Sequence, residues 1–100
     1  MSEPGVRVLV VDDEPAIRRF LRMSLTAHDF AVFEAATGEE ALTAVGAQRP
    51  DLVILDLGLP DIEGIEVTRR LREWSKIPII ILSVREHESE KIAALDAGAD

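Results

Sequence analysis

The chain is 100 residues long, room for one small domain, and 47% of it is apolar, which supports a buried core and excludes a disordered tail. With three Phe, one Trp and no Tyr, that core is built from Val, Ile, Leu and Ala. Nineteen acidic against eleven basic residues give a net charge of −8, the wrong sign for gripping nucleic acid by its phosphates, and the absence of cysteine excludes disulfides, thiolate metal sites and a cysteine nucleophile. Apolar runs stop near six residues, against the roughly twenty that span a bilayer. Met1-Ser2-Glu3-Pro4-Gly5 lacks the charged start and apolar stretch of a secretion signal. The expectation is a cytoplasmic domain with no membrane or nucleic-acid contact of its own.

Residues 6–11 form a β-branched run of strand length that stops at Asp12-Asp13-Glu14. Pro15 follows, well suited to a first helical turn where its missing N–H has no partner to lose. Ile17, Phe20, Leu21 and Leu25 recur at helical spacing, with Arg18, Arg19 and Arg22 opposite. Residues 31–35 predict a second strand. Thr37, with Glu40 three residues on, reads as a capping box that opens a helix with Ala41, Leu42 and Val45 inward.

Pro50 precedes a third strand over 52–57, and the turn 58–64 leads to a helix carrying Val67, Leu71 and Trp74 at core spacing. A fourth strand spans 77–83, with Pro78 at its start, where a lost donor is tolerated. A last helix is predicted over 88–97, with Ile92 and Leu95 on one side and Gly98 as its stop. The alternation of strand and helix, with strands continuously apolar rather than alternating, predicts an α/β domain: a doubly wound parallel sheet covered on both faces.

In such a sheet the carboxyl ends of the strands share one edge, and ligands bind where the winding reverses. Asp12 and Asp13 end the first strand, Asp56 the third and Ser83 the fourth. Singly these have plain readings: Asp13 and Glu14 as helix-start acids, Asp56 as a turn residue, Ser83 as uninformative. Jointly they imply three carboxylates in one crevice, which repel unless a cation neutralises them, and an all-oxygen set suits a hard ion such as Mg²⁺. An aspartate beside Mg²⁺ can also attack a phosphoryl group and form an acyl phosphate.

The motifs Leu9-Val10-Val11-Asp12-Asp13-Glu14-Pro15, Asp56-Leu57-Gly58-Leu59-Pro60-Asp61 with Gly64, Ile79-Ile80-Ile81-Leu82-Ser83 and Lys91-Ile92-Ala93-Ala94-Leu95-Asp96-Ala97-Gly98-Ala99-Asp100 resemble the receiver domain of two-component response regulators, of OmpR type and KdpE-like within it. The resemblance implies a flavodoxin-like receiver topology over residues 1–100, with Asp56 as phosphoacceptor and a sensor histidine kinase as partner. It further implies Mg²⁺ held by Asp13, Asp56 and the Gly58 backbone carbonyl, Asp12 assisting through water, and Ser83 hydrogen-bonding the phosphoryl group. A transcriptional output would then lie outside these residues.

Receivers of this kind continue into a fifth strand, a phosphate-contacting lysine and a fifth helix. Neither Lys76 nor Lys91 sits where that lysine would. The expectation is therefore a domain incomplete at its C-terminus, prone to self-association or element swapping along its apolar fourth strand. Val84, where receivers carry a very small residue, is expected to narrow access to the acyl phosphate. The arginines of the first helix and Arg69, Arg70 and Arg72 of the third read as solvated faces, and His28 and His87 as exposed. Two other functions compete. One is a pseudo-receiver or dimerising fragment that keeps the acids but does not switch. The other is a Mg²⁺-dependent phosphatase of similar topology, disfavoured because Asp12 and Asp13 are adjacent rather than spaced Asp-x-Asp; the lack of a glycine-rich loop after the first strand likewise disfavours nucleotide binding.

Overall fold

Seven elements follow one another in a computed structural model that describes residues 5–82 and Gly98: β1 (Arg7–Val11), α1 (Pro15–Thr26), β2 (Ala31–Ala35), α2 (Gly38–Gln48), β3 (Leu52–Asp56), α3 (Gly64–Arg72) and β4 (Ile79–Leu82). The four strands pair in parallel in the order β2-β1-β3-β4. The chain thus winds one way from β1 to β2 and the other way from β1 to β3, as the doubly wound reading requires. The predicted last helix, Ser83, Val84, His87 and Lys91 lie outside the described residues. Among the described residues no helix is long and apolar enough to cross a membrane.

β1 is the central strand. Val8, Leu9, Val10 and Val11 are all buried, which is why its sequence is apolar on both faces. Leu9 and Val11 share one cluster with Val53, Leu55 and Ile79 from neighbouring strands, Ala41 and Val45 from α2, and Val67 and Leu71 from α3. Val8 and Val10 point to the opposite face by strand alternation. The capping box opens α2 as expected: Thr37 Oγ1 accepts from Glu40 N at 3.1 Å, while Glu40 Oε1 accepts from Ala36 N at 3.4 Å, one residue upstream of the usual partner.

The structure corrects the sequence-based core at two aromatic residues. Phe20 is 67% exposed and α1 buries no residue fully. Its partly buried stripe is centred on Leu21, and Phe20 stands roughly 100° around the helix from it. Trp74 is 54% exposed because α3 has ended at Arg72, so helical spacing no longer governs its direction.

Two arginines expected to be solvated are tied to backbone instead. Arg18 donates from Nη1 to the Asp12 carbonyl at 2.7 Å and pairs with Glu34 at 3.3 Å. Arg72 reaches the Ile77 carbonyl at 2.6 Å and the Gly98 carbonyl at 2.7 Å. Arg69 and Arg70 match the expectation, exposed and paired with Glu66 along α3. His28 is exposed, its Nδ1 2.9 Å from the Ser24 carbonyl.

Candidate functional site

The carboxyl ends of β1 and β3 lie side by side, Val11 being in register with Leu55. The next residue on each strand therefore brings Asp12 beside Asp56. Asp12 N extends the β1–β2 ladder by donating to the Ala35 carbonyl at 3.1 Å, and Asp12 Oδ1 accepts from Glu14 N at 2.9 Å, which turns the chain into α1. Arg18 holds the Asp12 carbonyl from the side of α1. The backbone of Asp12 is thus fixed from two directions before its side chain does anything.

Asp12, Asp13 and Asp56 each place a carboxylate oxygen within 4.8 Å of the other two. Asp12 is buried, Asp56 half-buried and Asp13 exposed, so the cluster runs from the interior out to solvent. Burial pushes the Asp12 carboxyl above the usual carboxylate range, and the charges of Asp56, Asp13 and Glu14 push it further, against the Glu14 N–H that favours the ionised form. A cation held there would offset the repulsion among the three carboxylates and favour the ionised form of Asp12. Three oxygen ligands with no nitrogen or sulfur can hold a hard divalent ion, and the residues present fit one.

The segment after Asp56 is built to stay close to it. Gly58 lies beside the phosphoacceptor candidate: a Cβ there would stand 3.9 Å from Asp56 Oδ2. Leu57 and Leu59 are buried on either side of the exposed Gly58. The loop closes where Gly64 N donates to the Leu57 carbonyl at 3.0 Å. That closure requires glycine, since a Cβ on Gly64 would meet the Asp56 carbonyl oxygen at 2.6 Å and Leu57 Cα at 2.7 Å.

Of the site residues named from sequence, the structure brings together Asp12, Asp13 and Asp56 and sets Gly58 beside Asp56. Ser83 lies outside the described residues. Sequence reasoning missed Arg18, whose guanidinium supports the Asp12 backbone, and Asp61, whose carboxylate accepts from Gly38 N at 2.7 Å and Glu39 N at 3.0 Å at the start of α2. Nothing in the local sequence pairs Asp61 with a helix 23 residues upstream.

The sequence profile of the response regulator receiver domain matches residues 8–100. The chain belongs to that family. It is 59% identical over 93 residues to the KDP operon transcriptional regulatory protein KdpE of Escherichia coli and 55% identical to the transcriptional regulatory protein KdpE of Mycobacterium tuberculosis, in each case covering 93% of this chain and 41% of the relative. Among solved structures it is similar to the chemotaxis response regulator CheY4 of Vibrio cholerae, with a TM-score of 0.89 and 31% identity over 95% of this chain and 82% of that one. It is equally similar to the BeF3-activated receiver domain of Klebsiella pneumoniae RstA, with a TM-score of 0.90 and 30% identity over 93% of this chain and 80% of that one. The receiver therefore spans about two fifths of the length of the curated relatives it matches. The fold and family expected from the strand pattern and motifs both hold.

Proposed function

We propose that this receiver is a phosphorelay switch in which Asp56 takes a phosphoryl group from a phosphohistidine of a sensor histidine kinase. The observation that carries the reading is the convergence of Asp12, Asp13 and Asp56 from two strand ends to within 4.8 Å, at the point where the winding reverses. An Asp56 carboxylate oxygen attacks phosphorus, the phosphorus–nitrogen bond breaks, and the imidazole leaves with the electron pair and is reprotonated from solvent. Asp13, Asp56 and the Gly58 carbonyl would hold Mg²⁺, with Asp12 acting through water. Bound there, the ion neutralises the phosphoryl oxygens as charge moves onto them. Asp12, fixed by Glu14 N and Arg18, keeps the crevice anionic enough to draw the cation in.

Ser83, the residue after the last of β4, would hydrogen-bond the transferred group and bias two populations of the segment that follows. The receiver turns over no external substrate in this scheme, acts in the cytoplasm, and controls a transcriptional output. The KdpE names of its relatives support that output, and the matched family favours a switch over a non-switching pseudo-receiver. Self-association along the fourth strand has the half-exposed Ile80 as its support; a light-scattering mass equal to one chain would remove it.

Intact mass after incubation with acetyl phosphate and Mg²⁺ tests the central claim. One phosphoryl adduct is expected on the parent chain, none without Mg²⁺ and none on Asp56→Asn. An adduct that survives Asp56→Asn would refute the assignment.

A further inference from the structure

We propose that Asp61 is a positioning residue for the cation site: its carboxylate clamps the loop of residues 58–63 to the first turn of α2 and so presets the Gly58 carbonyl. The inference rests on the reading of Asp12, Asp13, Asp56 and Gly58 as the metal ligands. Its basis is a pair of charge-assisted hydrogen bonds, Gly38 N to Asp61 Oδ1 at 2.7 Å and Glu39 N to Asp61 Oδ2 at 3.0 Å. Both donors belong to the orphan amides of a helix start. The same helix already has a local cap, since Thr37 Oγ1 serves Glu40 N. α2 can therefore begin without Asp61, and what the remote carboxylate adds is a tie between two segments of the chain.

The neighbouring residues are shaped around that tie. A Cβ on Gly38 would meet Val67 Cγ2 at 2.9 Å, Ile62 Cβ at 3.0 Å and Asp61 Oδ1 at 3.4 Å, so the bare backbone is what lets α2 approach the loop and α3. The loop is already closed at its base by Gly64 N and the Leu57 carbonyl, and Leu59 is buried within it. Asp61 adds the hold on the far side, three residues after Gly58. The two amides keep the Asp61 carboxyl below the usual carboxylate range, so at neutral pH it is ionised and accepts both bonds. A metal ligand has to be held within about 0.5 Å of its productive position by its surroundings. With the clamp cut, a cation would have to order the loop as it bound, and its affinity would fall by that ordering cost.

The test measures Mn²⁺ binding by electron paramagnetic resonance on the intact chain, comparing the parent with Asp61→Ala, Asp61→Asn and Thr37→Ala. Asp61→Ala is expected to weaken Mn²⁺ about tenfold, the low end for losing a partner that orients a ligand. Asp61→Asn should recover only part of that loss, because its single amide oxygen can accept from one of the two α2 amides while its NH2 group faces the other donor. Thr37→Ala, which removes the local cap and leaves the tie, should lower the Tm without changing the Mn²⁺ affinity. In the acetyl phosphate reaction the Mg²⁺ concentration giving half the maximal rate should rise for Asp61→Ala, with the rate at saturating Mg²⁺ unchanged. Parent-like Mn²⁺ binding by Asp61→Ala would overturn the clamp, as would an equal loss in Thr37→Ala. A parent chain that binds no Mn²⁺ would instead overturn the metal reading of the acids, and the role of Asp61 with it.

Discussion

Replacing Asp56 by Asn should make the metal-free receiver more stable, although it removes the residue on which the chemistry depends. One carboxylate oxygen each from Asp12, Asp13 and Asp56 lies within 4.8 Å of the other two. Two unit charges at that separation repel by about 0.9 kcal/mol in a water-like dielectric and by about 3.5 kcal/mol at an effective constant of 20. Asp13 is exposed, so its repulsion of Asp56 sits near the lower figure, while burial of Asp12 raises its share. A net gain of about 1–2 kcal/mol follows, or about 5–10 °C in Tm for a domain of this size. The sign with pH is fixed. The Asp12 carboxyl is raised in the folded state, so its ionisation destabilises the fold, and that penalty appears as pH rises from the unfolded value through the folded one. The advantage of Asp56→Asn should accordingly shrink in acid, where the carboxylates are protonated. Mg²⁺ works the other way: at ten times its Kd it stabilises the parent by about 1.4 kcal/mol and should do little for the variant. Thermal melts of both chains in chelator and in Mg²⁺, at pH 7 and pH 4, measure every part of this. An Asp56→Asn chain no more stable than the parent in chelator, or a gap unaltered by Mg²⁺, would refute the account of the cluster as an unneutralised cation site.

Gly64→Ala should destabilise by about 1–3 kcal/mol, the usual cost of forcing a methyl into a filled site, because the new Cβ meets the Asp56 carbonyl oxygen at 2.6 Å; urea unfolding measures it, and it should also slow phosphorylation by displacing the end of β3. Asp61 has its carboxyl lowered in the folded state, so it contributes stability above the ordinary Asp range that is lost as pH falls through the folded value. Asp61→Asn should therefore flatten the loss of stability between pH 5 and pH 2, read from urea midpoints, and an unchanged slope would count against the two amide bonds in solution.

The strands were legible because each is a short apolar run closed by a turn or a carboxylate, and a sheet buried on both faces leaves no other place for such runs. The acid cluster was legible for a related reason. Once the strands are parallel and the winding reverses at β1, residues following β1 and those ending β3 have only one edge on which to meet. The arginines were not legible, because a guanidinium on a helix face carries no mark of whether it meets water or a carbonyl. Arg18 reaches back across the turn from β1 into α1 to the Asp12 carbonyl, and Arg72 reaches forward across the connection from α3 to β4 to the Ile77 carbonyl. Phe20 misled through chemistry: an aromatic ring is read as core wherever it falls near an apolar stripe, and this one lies at the stripe's edge, 67% exposed.

Asp61 and Gly38 belong to a different class of omission, with a bearing on how the site works. A turn residue and a helix-start glycine are each explained locally, so neither demands a partner. Together they tie the loop after the phosphoacceptor candidate to a helix that contributes no ligand to the acid cluster. The cluster itself works against folding, because three carboxylates in one crevice repel one another until a cation joins them. A site of that kind cannot rely on its own ligands to hold their geometry while empty, since they repel. Its order has to come from neutral or oppositely directed contacts just outside it: Arg18 on the Asp12 carbonyl, Gly64 N on the Leu57 carbonyl, and the α2 amides on Asp61. These contacts involve none of the repelling carboxylate groups, so they can persist whether the crevice is filled or empty. That is the property a switch needs if it is to bind its ion, accept a phosphoryl group and release it without losing its fold.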